Sequence, residues 1–295
     1  MLEINPNYNA YTLFPWSLAE DVIRLAKERG ATFRTFGQTK LCKSLWNFSP
    51  KLASRLEFLT ASPWNAIIPR IRKLLPGNLK VALRGKESLK GSLEVYFHHD
   101  ADRQPYKTLE MIQLENRLGV VSSNYFFFER HIWDADAEEY IVPAQSLTAF
   151  ESEGFEIGYH LNAYELANYD LDSAIRIMEH DVAWFRARFS LKSYVPHGGV
   201  PGPNGLNNNM MPQVGSLKNL LWAYNRYGVF CDTRWSDGDI RNTAPKDPRE
   251  VIRSATKGSR ISFLMHPQYY GTSLCENYRE YAISKSDWWR KLWDV

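Results

Sequence analysis

Cysteine is scarce in this chain: Cys42, Cys231 and Cys275 are the only three, far apart and without a CxxC pair. An odd, dispersed set excludes a disulfide framework and a thiolate zinc site, and it fits a reducing compartment. No run of eighteen apolar residues occurs, so no segment reads as a membrane-spanning helix. The opening Met1-Leu2-Glu3-Ile4-Asn5-Pro6-Asn7 lacks a basic stretch followed by an apolar one, and a cytoplasmic location is therefore expected. Charge of one sign is missing too. With 36 basic and 33 acidic residues mixed along the sequence, the net charge is only +3, which leaves no electrostatic footprint for nucleic acid or an anionic membrane. The expected ligand is neutral or mildly polar.

What is present suffices for a full core. A chain of 295 residues with 44% hydrophobic content holds one large α/β domain or two small ones. Ten Trp and sixteen Tyr supply flat rings of the kind that stack on sugars, although most such rings belong to cores. Apolar residues at helical spacing from Ser17 to Gly30 predict a helix, followed by a short strand over 32–36. Two more helices are predicted over 50–59 and 63–75. From about Gly91 onward, short apolar runs (93–97, 120–128, 156–160, 193–195, 229–231, 261–265) alternate with helical stretches (107–118, 147–153, 171–189, 216–227). Such alternation implies right-handed βαβ units and a parallel sheet or barrel, with ligands at the carboxyl ends of the strands. The expected organisation is an N-terminal elaboration, 1–90, contributing in part to a barrel formed by 91–295. The Gly- and Pro-rich loop 198–215, with Asn207, Asn208 and Asn209 in succession, reads as a candidate lid.

The densest chemistry lies in Leu93-Glu94-Val95-Tyr96-Phe97-His98-His99-Asp100-Ala101-Asp102. Tyr96, His98, Asp100 and Asp102 share one parity, so a persisting strand turns both carboxylates the same way. Two close carboxylates repel when ionised, and a cation relieves that repulsion. An acidic turn that merely ends a strand is the competing reading. The histidines extend the pattern. Of seven, His98, His99, His160, His197 and His266 stand where strands are predicted to finish, whereas His180 reads as part of a solvated helical face. A divalent metal on an aspartate and two imidazoles keeps open positions for water and substrate. A further carboxylate then serves as base and a histidine as acid towards a departing amine. Asp100, Asp102, His160, His197 and His266 supply that set, and together they specify hydrolysis of an amide or ester.

The order of His98-His99-Asp100-Ala101-Asp102, Ser123-Asn124-Tyr125-Phe126-Phe127, Gly154-Phe155-Glu156-Ile157-Gly158-Tyr159-His160, Tyr194-Val195-Pro196-His197-Gly198 and Leu264-Met265-His266-Pro267 resembles polysaccharide deacetylases of the carbohydrate esterase 4 (NodB-homology) superfamily, in its HDxD-type branch. Asp232-Thr233-Arg234-Trp235 is a looser counterpart of that family's fourth motif. The resemblance implies an α/β fold, a distorted (β/α) barrel of about seven strands. It also implies a metal-dependent N- or O-deacetylase acting on a carbohydrate, in surface polysaccharide assembly. By match, Asp100 takes the catalytic base, Asp102 or Asp100 the metal aspartate, His160 the first metal histidine and His266 the general acid. Tyr164 and Glu165 stand where the family carries its second metal histidine, and His197 is assigned as the replacement ligand on its side-chain chemistry. Zinc suits aspartate with imidazole, and other first-row ions stay open. Asp232, Trp235 and Tyr269 are expected to touch the sugar, with a core role the commoner one for such rings. A deformylase or other C–N hydrolase, and a binding relative that has lost catalysis, are the alternatives.

Overall fold

The computed structural model describes residues 8–38, 91–128, 132–133, 142–198, 202–212, 214–223, 231–241, 245–278 and 286–293. The helices expected over 50–59 and 63–75 lie outside them. The chain divides into two compact units, one of Met1–Thr35, Gly91–Ile157 and Cys231–Val295, the other of Phe36–Lys90 and Gly158–Phe230.

In the first unit the strands β2 (Thr32–Phe33), β3 (Glu94–Ala101), β4 (Ser122–Phe126), β10 (Thr233–Ser236) and β11 (Arg260–Met265) form the sheet. Its order is β10-β11-β3-β4, with β2 also on β3, and β4 neighbours the beginning of β7 (Glu156–Leu161). The β10–β11, β11–β3, β2–β3 and β3–β4 pairs are parallel. The N-terminal helix and strand predicted from the sequence therefore belong to this unit. Helix α1 (Trp16–Glu28) buries Leu18, Ala19, Val22, Ile23 and Ala26, a stripe at spacings of three and four. Gly30, at φ +67°, ends it in the left-handed region that favours glycine. Helix α2 (Pro105–Arg117) starts with proline in its first turn, where the missing N–H costs nothing. The core gathers α1, α2, β3 and β11 around Phe14, Phe97, Phe263, Trp235 and Trp289. A two-stranded pair of β1 (Phe14–Pro15) and β12 (Tyr270–Gly271) closes one side of it. Strands β5 (Ile132–Trp133) and β6 (Val142–Pro143) pair in parallel, and helix α3 (Ala144–Ser152) follows them.

The second unit continues β7 into β8 (Ser193–Pro196) and β9 (Leu221–Trp222), again in parallel. Helix α4 (Ala163–Leu166) is a single turn, and helix α5 (Leu171–Arg188) spans five. Asp170 caps α5 by accepting from Ser173 N at 2.8 Å. Ala174, Met178, Val182 and Phe185 form its buried stripe. Asp181, on the same face, is satisfied by Tyr159 Oη at 2.7 Å.

Parallel strands alternating with helices, found in each unit, make this the α/β fold that the sequence predicts. Strand β3 runs four residues past Phe97, so His98, His99 and Asp100 are strand residues: of the two readings of this stretch the persisting strand is the one found, as far as Ala101. Of the strand expected over 229–231, residues 229 and 230 lie outside the described residues; a strand is found at Thr233–Ser236, with Trp235 in the core. The helix expected from Ser216 is instead a 3-10 turn, Gly215–Asn219, followed by β9. Leu217, Leu220 and Leu221 are all buried there, and strand pairing of Leu221 to Ser193 displaces helix formation. The described part of the loop 202–212 contains two 3-10 turns, with Asn208 buried.

Candidate active site

Strand β11 ends at Met265, and His266 is the next residue. Strand β10 ends at Ser236, and Asp237 is the next residue there. Because β10 and β11 are paired with Ser236 opposite Leu264, the two residues emerge side by side at the carboxyl end of the sheet. The Asp237 Oδ1 lies 2.6 Å from the imidazole Nδ1 of His266, and its Oδ2 accepts the His266 backbone N–H at 2.6 Å. Gly238 lets the ring lie close: a methyl group there would come within 3.3 Å of the His266 Cε1.

Strand β3 brings the expected carboxylates to the same place. His99 lies opposite Met265, so the register, carried one step further, sets Asp100 against His266. Asp102, just past the end of β3, puts its Oδ2 3.7 Å from His266 Nε2. Burial works against a charged imidazole, yet Asp237, then Asp102 and Asp100, outweigh it and hold the His266 pKa up at about 10. Burial likewise pushes the Asp237 carboxyl up, with the charge and hydrogen bonds of His266 pulling the other way. His266 is therefore an imidazolium at neutral pH, a donor rather than an acceptor of protons. Asp100 is buried, and its Oδ1 has no hydrogen-bond partner among the described residues.

The two histidines of β3 separate by parity. His98 shares the face of Asp100 and meets the edge of Tyr125, with ring centroids 6.3 Å apart. His99 faces the helix layer, where its Nε2 lies 2.8 Å from Glu115 Oε1 on α2, and Glu115 also accepts from Ser122 Oγ at 2.5 Å. His99 is thus a member of a buried structural network. His180 is largely exposed beside Asp181, as expected of a solvated helical face.

In the second unit, His160 in β7 and His197 just past β8 are neighbours, with ring centroids 5.4 Å apart and planes near perpendicular. Their closeness follows from register: His160 lies opposite Val195, and His197 N donates to Leu161 O at 2.8 Å. The His160 Nδ1 donates to Val195 O at 2.9 Å, which places the lone pair on Nε2. Glu165 bonds the His197 Nδ1 at 2.9 Å. Asn208 braces the arrangement by accepting from Tyr164 N and Glu165 N, both at 3.1 Å, and donating to His197 O at 3.2 Å.

The residues expected to touch a sugar are placed differently. Trp235 is in the core, packed on Phe14 and Phe263, with its Nε1 donating to Lys246 O at 2.8 Å. Asp232 stands at the amino end of β10, where it accepts from Arg260 N at 3.0 Å, at the opposite end of the strands from His266. The acidic partner at the carboxyl end is Asp237, five residues later. Tyr269 is buried with its ring 5.5 Å from that of His266. Among the described residues, no three His, Cys, Asp or Glu side chains are grouped so as to hold a metal ion. No helix among them is long and apolar enough to cross a membrane.

No family model and no curated protein matches the chain. Among solved structures, the chain is similar to the Xyl-CE4 domain of a multidomain xylanase from the hindgut metagenome of Trinervitermes trinervoides. The identity is 13% and the TM-score 0.34, over 64% of this chain and 90% of that one. A likeness at that level carries nothing about chemistry.

Proposed function

We propose that this chain is a hydrolase of the deacetylase type, removing an acyl group from an amino sugar or sugar derivative in surface polysaccharide biosynthesis. The observation that carries the proposal is the geometry of the His266 imidazole, clamped by Asp237 at 2.6 Å and facing Asp102 at 3.7 Å, carboxylates that raise its pKa. A histidine kept protonated at neutral pH and backed by a buried carboxylate is built to give a proton to a leaving amine or alkoxide. In the proposed reaction Asp100 takes a proton from the attacking water, whose oxygen adds to the acyl carbon. The bond to the sugar nitrogen or oxygen then breaks as His266 delivers its proton to the departing atom, giving a carboxylic acid and the free sugar group. Asp237 orients His266 and stabilises its charge. The choice of a sugar as substrate rests on the order of the motifs in the sequence.

A divalent ion, zinc first, is part of the proposal as the resemblance implies it; such an ion acidifies bound water and polarises a carbonyl. The described residues assemble no three-donor group, so the acid–base steps above rest on Asp100, His266 and Asp237 alone. The test is acid release from a panel of N- and O-acetylated sugars, before and after chelation, beside elemental analysis of the purified chain. His266→Gln is expected to abolish most release, and His160→Ala to lower bound metal. No release from any acetylated sugar, with sugar binding intact, points instead to a binding relative that has lost catalysis.

A further inference from the structure

Lys107 lies on α2 with none of its side chain exposed. An amine so placed needs acceptors for its protons, because an ammonium group taken out of water is costly. Its Nζ lies 2.6 Å from Tyr270 O, 3.4 Å from Gln268 O and 3.1 Å from Thr12 Oγ1, and 4.2 Å from the centre of the Tyr8 ring. Between the two carbonyls, Tyr269 O accepts from Leu13 N at 2.7 Å. Three successive carbonyls, starting two residues after His266, are thus held, two of them by one amine. The same segment reaches back to the acid: Tyr269 N donates to His266 O at 2.8 Å, and the Tyr269 ring lies against the imidazole.

We propose that Lys107 is a positioning residue of the active site, its amine fixing the segment Gln268–Tyr270 and through it the place of the His266 imidazole between Asp237 and Asp102. Burial draws the Lys107 pKa down to about 7, against the opposing pull of Glu110 and Cys275. The clasp survives that titration. The ammonium gives one proton to each of three acceptors, whereas the neutral amine still gives two to the carbonyls, the Thr12 hydroxyl keeping its own proton on Asn9 Oδ1 at 3.1 Å. The kinetic consequence rests on His266 being the acid proposed above; the positional one does not.

The test compares Lys107→Met with Thr12→Val in the full chain, by thermal melting, by the Nδ1 proton resonance of His266, and by kcat and KM for acid release. In Lys107→Met the resonance is expected to move or to vanish into exchange. There kcat should fall about 10- to 100-fold with KM little changed, the usual cost of a misplaced catalytic group. Thr12→Val keeps both carbonyls clasped and should leave resonance and kcat as they are. Should Lys107→Met fail to fold, Lys107→Gln, whose amide falls one bond short of the carbonyls, is read by the same criteria. A folded variant that melts lower while resonance and kcat stay at wild-type values overturns the proposal, as does a Thr12→Val loss equal to that of Lys107→Met. A wild-type chain that releases no acid overturns the proposed function instead, and the resonance comparison still decides the role of Lys107.

Discussion

Asp237 holds His266 twice, by its ring and by its backbone, through the two oxygens of one carboxylate. Such a clamp fixes both where the imidazole lies and which nitrogen faces the reaction, with Nδ1 bound to Asp237 and Nε2 turned to Asp102. Asp237→Asn removes the charge and, at Nδ1, sets either an amide oxygen or an amide N–H against a ring proton. The His266 pKa is expected to fall, so the alkaline limb of the activity profile moves to lower pH. A loss of roughly 100-fold or more in kcat accompanies it, as for other displaced acid–base groups. The pH dependence of kcat/KM checks this; an unmoved alkaline limb removes His266 from the role of acid.

Asp100 separates stability from turnover. Its carboxylate is buried, with an oxygen that has no hydrogen-bond partner among the described residues. A buried polar atom so placed lowers stability, and it is tolerated where function needs it. Asp100→Asn keeps the shape and removes the charge. It should raise the melting temperature by roughly a few degrees while losing most turnover. Full activity in Asp100→Asn would falsify its assignment as base.

Stability should also carry two opposing pH dependences. For His266 the folded pKa, about 10, is above the ordinary 6.5, so its contribution is fully present below about 6.5 and is lost as pH rises through 10. For Lys107 the folded pKa, about 7, is below the ordinary 10.5, so the unfolded chain binds more protons between these values and stability climbs with pH there. In the wild type the two offset each other between about pH 7 and 10. Relative to wild type, Lys107→Met should therefore melt progressively lower as pH rises over that range, and His266→Gln progressively higher. Parallel melting curves for all three proteins from pH 7 to 10 would remove both linkages.

The strand-end logic made His266, Asp100, His160 and His197 legible, because alternation of apolar runs and helices locates the carboxyl ends of parallel strands without any tertiary knowledge. It overcounted at His98 and His99. Adjacent residues of a strand face opposite ways, so one of the two had to meet the helix layer, and Glu115 on α2 holds it there. Asp237 escaped for a different reason. The sequence reading ended its apolar run at Cys231, whereas Thr233-Arg234-Trp235-Ser236 followed by Asp237-Gly238 carries its own signal of a β-type run closed by turn residues. Lys107 and Asn208 gave no signal at all. Lysine in a helix and asparagine in a loop are ordinary surface residues, and only the packing of distant segments turns them inward.

Asn208 makes that point testable. Its Oδ1 accepts from the backbone N–H groups of Tyr164 and Glu165, in the first turn of α4, which have no partner within so short a helix. Its Nδ2 donates to His197 O, so one side chain ties the turn that carries Glu165 to the residue Glu165 bonds. Asn208→Ala removes three hydrogen bonds, one of them buried and two part-buried, and should cost about 1–3 kcal/mol in urea denaturation. Asn208→Asp keeps the acceptor, now charged, at the positive end of the turn, but sets an oxygen against His197 O. It should cost less at α4 and displace His197 more. The ring nitrogen resonances of His197 read that difference. If the two variants lose equal stability and leave those resonances alike, Asn208 serves α4 alone and the tie to His197 does not exist.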